Sequence, residues 1–116
     1  MSIKRIKPNV ESERLDESRT FYCDEIGLTG GEGLDWVLSF SSPDDSKLQL
    51  SVMKLDVTAG VHPDITIVVD DVDAVHWRVV ASRAETVHPL TDEPWGVRRF
   101  FVRDPNGAVI NAMQHG

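Results

Sequence analysis

Few residues of this chain have chemical reach, and most of those sit in unsuitable company. The one thiol, Cys23, falls inside a helical stretch with Asp24 and Glu25 beside it, and these like charges oppose a thiolate nucleophile. Ser12, Ser18 and Ser82 have no His with an acid partner at a spacing that marks a nucleophile and its base. The glycines of Thr29-Gly30-Gly31-Glu32-Gly33 do not make a phosphate loop. Hydrolase and nucleotide-binding chemistry therefore receive no support. What remains is recognition chemistry: aromatic surface from Trp36, Trp95 and Phe100, a guanidinium from Arg98, and neutral amides from Gln49 and Asn111. A cleft lined in this way suits an amphipathic organic ligand. Each residue also has a plainer reading: Phe100 as core, Trp36 and Trp95 as covers of sheet ends, Arg98 as partner of a local Asp. Trp77, at helical spacing, reads as packing or a subunit contact.

Alternation and turn residues define the elements that must position these side chains. Ile3 to about Glu11 reads as a strand interrupted by Pro8. A helix follows Ser12, with Leu15, Arg19, Tyr22 and Ile26 on one stripe and Gly27 as its stop. Thr29 to Gly33 is a turn or weak strand, Trp36 to Phe40 a strand, and Lys47 to Met53 a strictly alternating, half-buried strand. The pattern then restarts with the β-branched run Ile65 to Val69 and a helix striped by Val72, Val75, Val79 and Val80. Thr86 to His88 is a short strand, Thr91 to Gly96 a loop, Val97 to Val102 a strand, Asp104 to Gly107 a turn, and Ala108 to Met113 the last strand. If that turn closes an even hairpin, Asn111 stands opposite Phe100 and Met113 opposite Arg98, so Phe100 and Arg98 share the face of Asn111.

Each half reads as a strand, a helix and three more strands. A shift of 57 sets Leu15-Asp16 on Val72-Asp73, and a shift of 62 sets Pro43 on Pro105 and Gln49 on Asn111. The expected fold is α+β: one domain over 1–116, built of two tandem βαβββ modules at about 1–57 and 61–116, whose curved mixed sheets surround a cleft.

Composition narrows the partners. With 12 Lys and Arg against 19 Asp and Glu the formal net charge is −7, which repels phosphate, so neither nucleic acid nor an anionic membrane is expected as a partner. A single Cys cannot form an internal disulfide, which favours a reducing, cytoplasmic setting. Neither a signal peptide nor a membrane-spanning run is recognisable.

Three stretches stand out together: Ser18-Arg19-Thr20-Phe21-Tyr22-Cys23-Asp24-Glu25-Ile26-Gly27-Leu28, then Val69-Asp70-Asp71-Val72-Asp73-Ala74, then Pro94-Trp95-Gly96-Val97-Arg98-Arg99-Phe100 with Asp104-Pro105-Asn106-Gly107. In this order they resemble the first-helix pattern, the entry to the second helix and the closing hairpin of the vicinal oxygen chelate superfamily, the group of glyoxalases, bleomycin-resistance proteins and extradiol dioxygenases. The resemblance implies this fold and a homodimer; it does not specify a function.

It also implies a divalent metal held by four side chains, usually His or Glu. Counting fourteen back from Phe21, six back from Asp70 and seven beyond Asp104 places three of those positions on Lys7, Asp64 and Asn111, and the fourth falls on Gln49. Lys offers no lone pair at neutral pH, Gln and Asn are weak ligands, and only Asp64 is anionic. The expectation is therefore a Lys7–Asp64 ion pair flanked by the two amides, with no cofactor and a divalent metal disfavoured. A displaced metal site on His62, Asp64 and His115 is the alternative, since strand parity sets both imidazoles toward one rim.

Three functions follow. The first is metal-independent binding or sequestration of a small amphipathic organic molecule by Trp95, Arg98, Phe100, Gln49, Asn111 and Trp36. The second is a lyase or isomerase acting on a small carbonyl compound, with Asp64 as base, Lys7 as acid or electrophile and Arg98 steadying an oxyanion. The third is a structural or regulatory dimer module. Whether turnover occurs stays open at this point.

Overall fold

The computed structural model of the chain describes residues 2–56 and 58–116. They form two compact units: Lys7–His62, and Pro63–Gly116 together with the residues up to Ile6.

In the N-terminal unit, β1 (Ile3–Glu11) runs parallel to β4 (Gln49–Met53), which pairs antiparallel with β3 (Val37–Ser41), which pairs with β2 (Thr29–Glu32). Between β1 and β2 the chain is helical, α1 (Leu15–Arg19) continuing as a π-helical segment (Thr20–Ile26). The wider turn corrects the expected stripe. Leu15, Tyr22 and Cys23 pack on Leu38, Phe40 and Val52, whereas Ile26 is rotated outward and 59% exposed. Gly27 ends the helix as expected, with φ 100°, a left-handed conformation that glycine adopts without strain. The glycines that follow are structural: a Cβ on Gly30 would lie 2.6 Å from Ser39 O and one on Gly33, just after β2, 2.3 Å from Val37 O, so only glycine lets this stretch lie so close to β3.

The C-terminal unit repeats the plan. β5 (Ile65–Val69) runs parallel to β8 (Val109–His115), followed outward by antiparallel β7 (Val97–Arg103) and β6 (Thr86–Asp92). Helix α2 (Val72–Ala81) covers one face, packing Val72, Val75 and Val79 on Val69, Phe100, Val102 and Ala112; Val80, expected on that stripe, is 48% exposed. The helix starts on the Asp71 side chain, which accepts from Ala74 N at 3.1 Å, and on Gln114 Oε1, which accepts from Val72 N at 2.9 Å. Thr91 and Asp92, expected in a loop, belong to β6. The strand accommodates Pro89 because it is at the sheet edge and its register slips between Thr86 and His88 and again before Thr91. This is the α+β, twice-βαβββ architecture expected from the sequence.

Candidate functional site

Strand β7 decides which side chains meet. Its register sets Phe101 opposite Asn111, Phe100 opposite Ala112 and Arg98 opposite Gln114. The expected pairing of Phe100 with Asn111 is therefore off by one residue. Because side chains alternate along a strand, that one step moves Phe100 and Arg98 to the face covered by α2. Phe100 is fully buried there against Val72 and Ala112, with the His76 ring edge-on at 4.9 Å. Arg98 reaches Asp73 of α2 at 2.9 Å and Asp92 at 3.2 Å, and these carboxylates hold its guanidinium charged by raising an already high pKa. Arg98 thus ties helix to sheet, the local-acid reading of the sequence.

The face left free of helix carries Arg99 and Phe101 in their place. Arg99 is 3% exposed, and a single carboxylate oxygen, Glu93 Oε2, accepts from its Nε at 2.7 Å and lies 2.6 Å from its Nη2. Its guanidinium lies over the Trp95 ring at 4.9 Å and the Phe101 ring at 4.7 Å. The tight turn between β6 and β7 makes this possible. Glu93 N donates to Val97 O at 2.7 Å and Gly96 N to Glu93 O at 3.1 Å; Pro94 follows Glu93, and Gly96 takes φ 94°. Proline and glycine fit those turn positions, and the turn delivers Glu93 and Trp95 to Arg99. A charge buried this deeply is tolerated because it is paired, hydrogen-bonded and stacked.

Across the four strands the same face presents His88, Phe101, Asn111 and Thr66 in one row. Asn111 Nδ2 donates to Thr66 Oγ1 at 3.2 Å, while its buried Oδ1 accepts no hydrogen bond among the described residues. His88 Nε2 is also buried without a hydrogen bond, its ring 5.2 Å from that of Phe101 and the nitrogen 3.4 Å from Glu93 Oε2. Sequence reasoning missed Glu93, His88, Arg99 and Phe101. The Glu-Pro-x-Gly turn was a usable signal; the register that selects Arg99 over Arg98 was not.

The remaining expected residues divide between the units. Lys7 (on β1), Trp36 and Gln49 are half-buried in the N-terminal unit, and Gln49 turns its amide back onto Ser46 O at 2.9 Å. His62 of that unit places Nε2 2.9 Å from Asn9 O. Asp64, in the C-terminal unit, is exposed. Its role is local: Val109 N donates to its Oδ2 and Asp64 N to Val109 O, both at 2.8 Å, which starts the pairing of β5 with β8. His115 is exposed at the end of β8.

Comparison with known proteins follows from this architecture. The family model of the Glyoxalase/Bleomycin resistance protein/Dioxygenase superfamily matches residues 9–112. The chain belongs to this superfamily. A superfamily member from Vibrio splendidus 12B01 superposes with TM-score 0.72 at 17% identity, covering 97% of this chain and 99% of that one. Methylmalonyl-CoA epimerase from Mycobacterium tuberculosis gives 0.67 at 18%, covering 98% and 87%. A Legionella pneumophila protein described as NAD-dependent benzaldehyde dehydrogenase gives 0.78 at 15%, covering 96% and 99%. At these identities the likeness is one of fold. A search of curated proteins found no match.

The metal positions of the superfamily can now be weighed on the donors present. Asn9 stands beside Ser51 in one unit as Thr66 stands beside Asn111 in the other, so by register Ser51, not Gln49, is the counterpart of Asn111. With either residue the set has one carboxylate, a lysine and neutral oxygens. Among the described residues no three His, Cys, Asp or Glu side chains gather as a metal site. Such a set does not fit a divalent ion of the kind His and Glu hold.

Proposed function

We propose that this superfamily member binds a small amphipathic organic molecule without a metal, on the helix-free face of the C-terminal sheet. The donor set at the superfamily's metal positions carries the reading: Lys7, Gln49 or Ser51, Asp64 and Asn111 cannot supply the two or three imidazole or carboxylate ligands that metal-dependent chemistry requires. Trp95, half-exposed with Arg99 over its ring, offers indole surface, and Asn111 Oδ1 is a buried acceptor without a hydrogen bond among the described residues. Arg98 and Phe100 leave the ligand-binding set because they face α2. The reading brings with it a homodimer in a reducing, cytoplasmic setting. The test is tryptophan fluorescence titration with a panel of small aromatic compounds, with and without chelator. Saturable binding that is indifferent to chelator and weakened in Trp95→Ala supports the reading; binding abolished by chelator contradicts it.

A lyase or isomerase acting on a small carbonyl compound is the second reading. One observation favours it: an imidazole stands beside a buried carboxylate, His88 Nε2 3.4 Å from Glu93 Oε2 and free of any hydrogen bond among the described residues. Turnover of a compound found in the binding panel, lost in His88→Gln with binding retained, would select it.

A further inference from the structure

In the C-terminal unit, β5 and β8 run parallel and end side by side, and beyond their carboxyl ends lies a groove of about 320 Å³. Crevices at the carboxyl ends of parallel strands are recurrent ligand sites. Lys4, Arg5, Asp70, Gln114 and His115 line this one, together with Val68 and Val69.

Two of its acceptor oxygens are already engaged. Asp70 Oδ1 accepts from Ser2 N at 2.8 Å, and Gln114 Oε1 from Val72 N at 2.9 Å. Its donors are not: the side chains of Lys4 and Arg5 make no hydrogen bond or ion pair among the described residues, and Gln114 Nε2 makes none either. Two cations therefore line the groove beside one carboxylate, whose pKa the Lys4 charge helps to lower, in a chain whose net charge is −7. The bond to Val72 N fixes the Gln114 side chain at the helix entry, so its NH₂ is held ready without further ordering.

We infer that this groove binds a small oxyanion, a carboxylate or phosphate group, through Lys4, Arg5 and the Gln114 amide. A guanidinium fork matches either oxyanion, and the ammonium adds a point charge. Asp70 repels a second negative charge, which favours a singly charged carboxylate over doubly charged phosphate. Lys4 and Arg5 are exposed, so affinity is modest and falls with salt. The inference is independent of the binding-module reading and stands if that reading fails.

The experiment is a titration of the isotope-labelled full chain by NMR with sodium acetate and, separately, inorganic phosphate, each against sodium chloride at matched ionic strength. Expected are saturable shifts of the Gln114 side-chain amide and of Val68 to Asp71, absent with chloride and weakened at least about tenfold in Lys4→Gln/Arg5→Gln. That double variant alters only exposed side chains, and its unchanged thermal midpoint would show that it is folded. Saturation by acetate alone identifies a carboxylate site, and tighter binding of phosphate a phosphate site. Shifts that chloride reproduces, or that persist unweakened in the double variant, overturn the inference.

Discussion

Glu93 Oε2 lies 2.7 Å from Nε and 2.6 Å from Nη2 of Arg99, joining the turn before β7 to the third residue of that strand in a contact almost fully removed from water. Breaking one side of such a pair strands the other charge. Glu93→Gln is expected to destabilise the protein by about 3–5 kcal/mol, and Arg99→Met on the Glu93→Gln background to recover much of that loss. Urea denaturation of the two single variants and the double variant measures both effects; additive losses would contradict the pairing.

Phe100 of β7 and Trp95 of the turn before it are expected to behave differently. Phe100→Ala empties a fully buried position under α2 and should cost about 3–5 kcal/mol. Trp95→Ala, at a half-exposed turn position, should leave the fold intact and weaken ligand binding by about tenfold or more. Denaturation and fluorescence titration, run in parallel, separate the two roles. A Trp95→Ala variant that unfolds without any ligand would instead favour a face filled by its own side chains.

The opposite facing of Phe100 and its neighbour Phe101 marks where sequence reading stopped. Element order, the Gly27 stop, the α2 stripe of Val72, Val75 and Val79, and the internal repeat were all legible, because periodicity and turn chemistry are local. The pairing of β7 with β8 was not. A hairpin closed at Asp104 to Gly107 can take either of two adjacent registers, and one residue of slip exchanges Arg98 and Phe100 for Arg99 and Phe101. The π-helical segment likewise left no local signature, so Ile26 was placed on the packed stripe. Glu93 was hidden for a third reason: an acid in a turn reads as solvated until a buried guanidinium is found above it.

Acid should loosen the structure at definable places. The Arg98 hydrogen bond lowers the Asp73 pKa from 3.8, and the backbone N–H of Ala108 does the same for Asp104, which also accepts from Asn106 N. A group with a depressed folded pKa contributes stability that is present above its unfolded value and is lost as pH falls through the folded one. Stability is therefore expected to decline as pH drops below about 4. In Asp73→Asn/Asp104→Asn the decline should be shallower, starting from a lower plateau at neutral pH. Thermal midpoints at a series of pH values give the slope, and an unchanged slope would contradict the assignment.

Asp64 offers a separate check on the displaced-metal alternative. Since its carboxylate accepts from Val109 N, Asp64→Ala should weaken the start of the β5–β8 ladder, visible as faster amide exchange at Val109. Unchanged exchange at Val109 would show that the carboxylate serves elsewhere.

The claim most open to direct test is metal independence. Purified without chelator and then loaded in turn with zinc, nickel, manganese and iron, the protein should retain no stoichiometric metal after gel filtration, as measured by elemental analysis. Retention of about one ion per chain would contradict the account and restore a metalloenzyme, with His62 and His115 the first ligands to test.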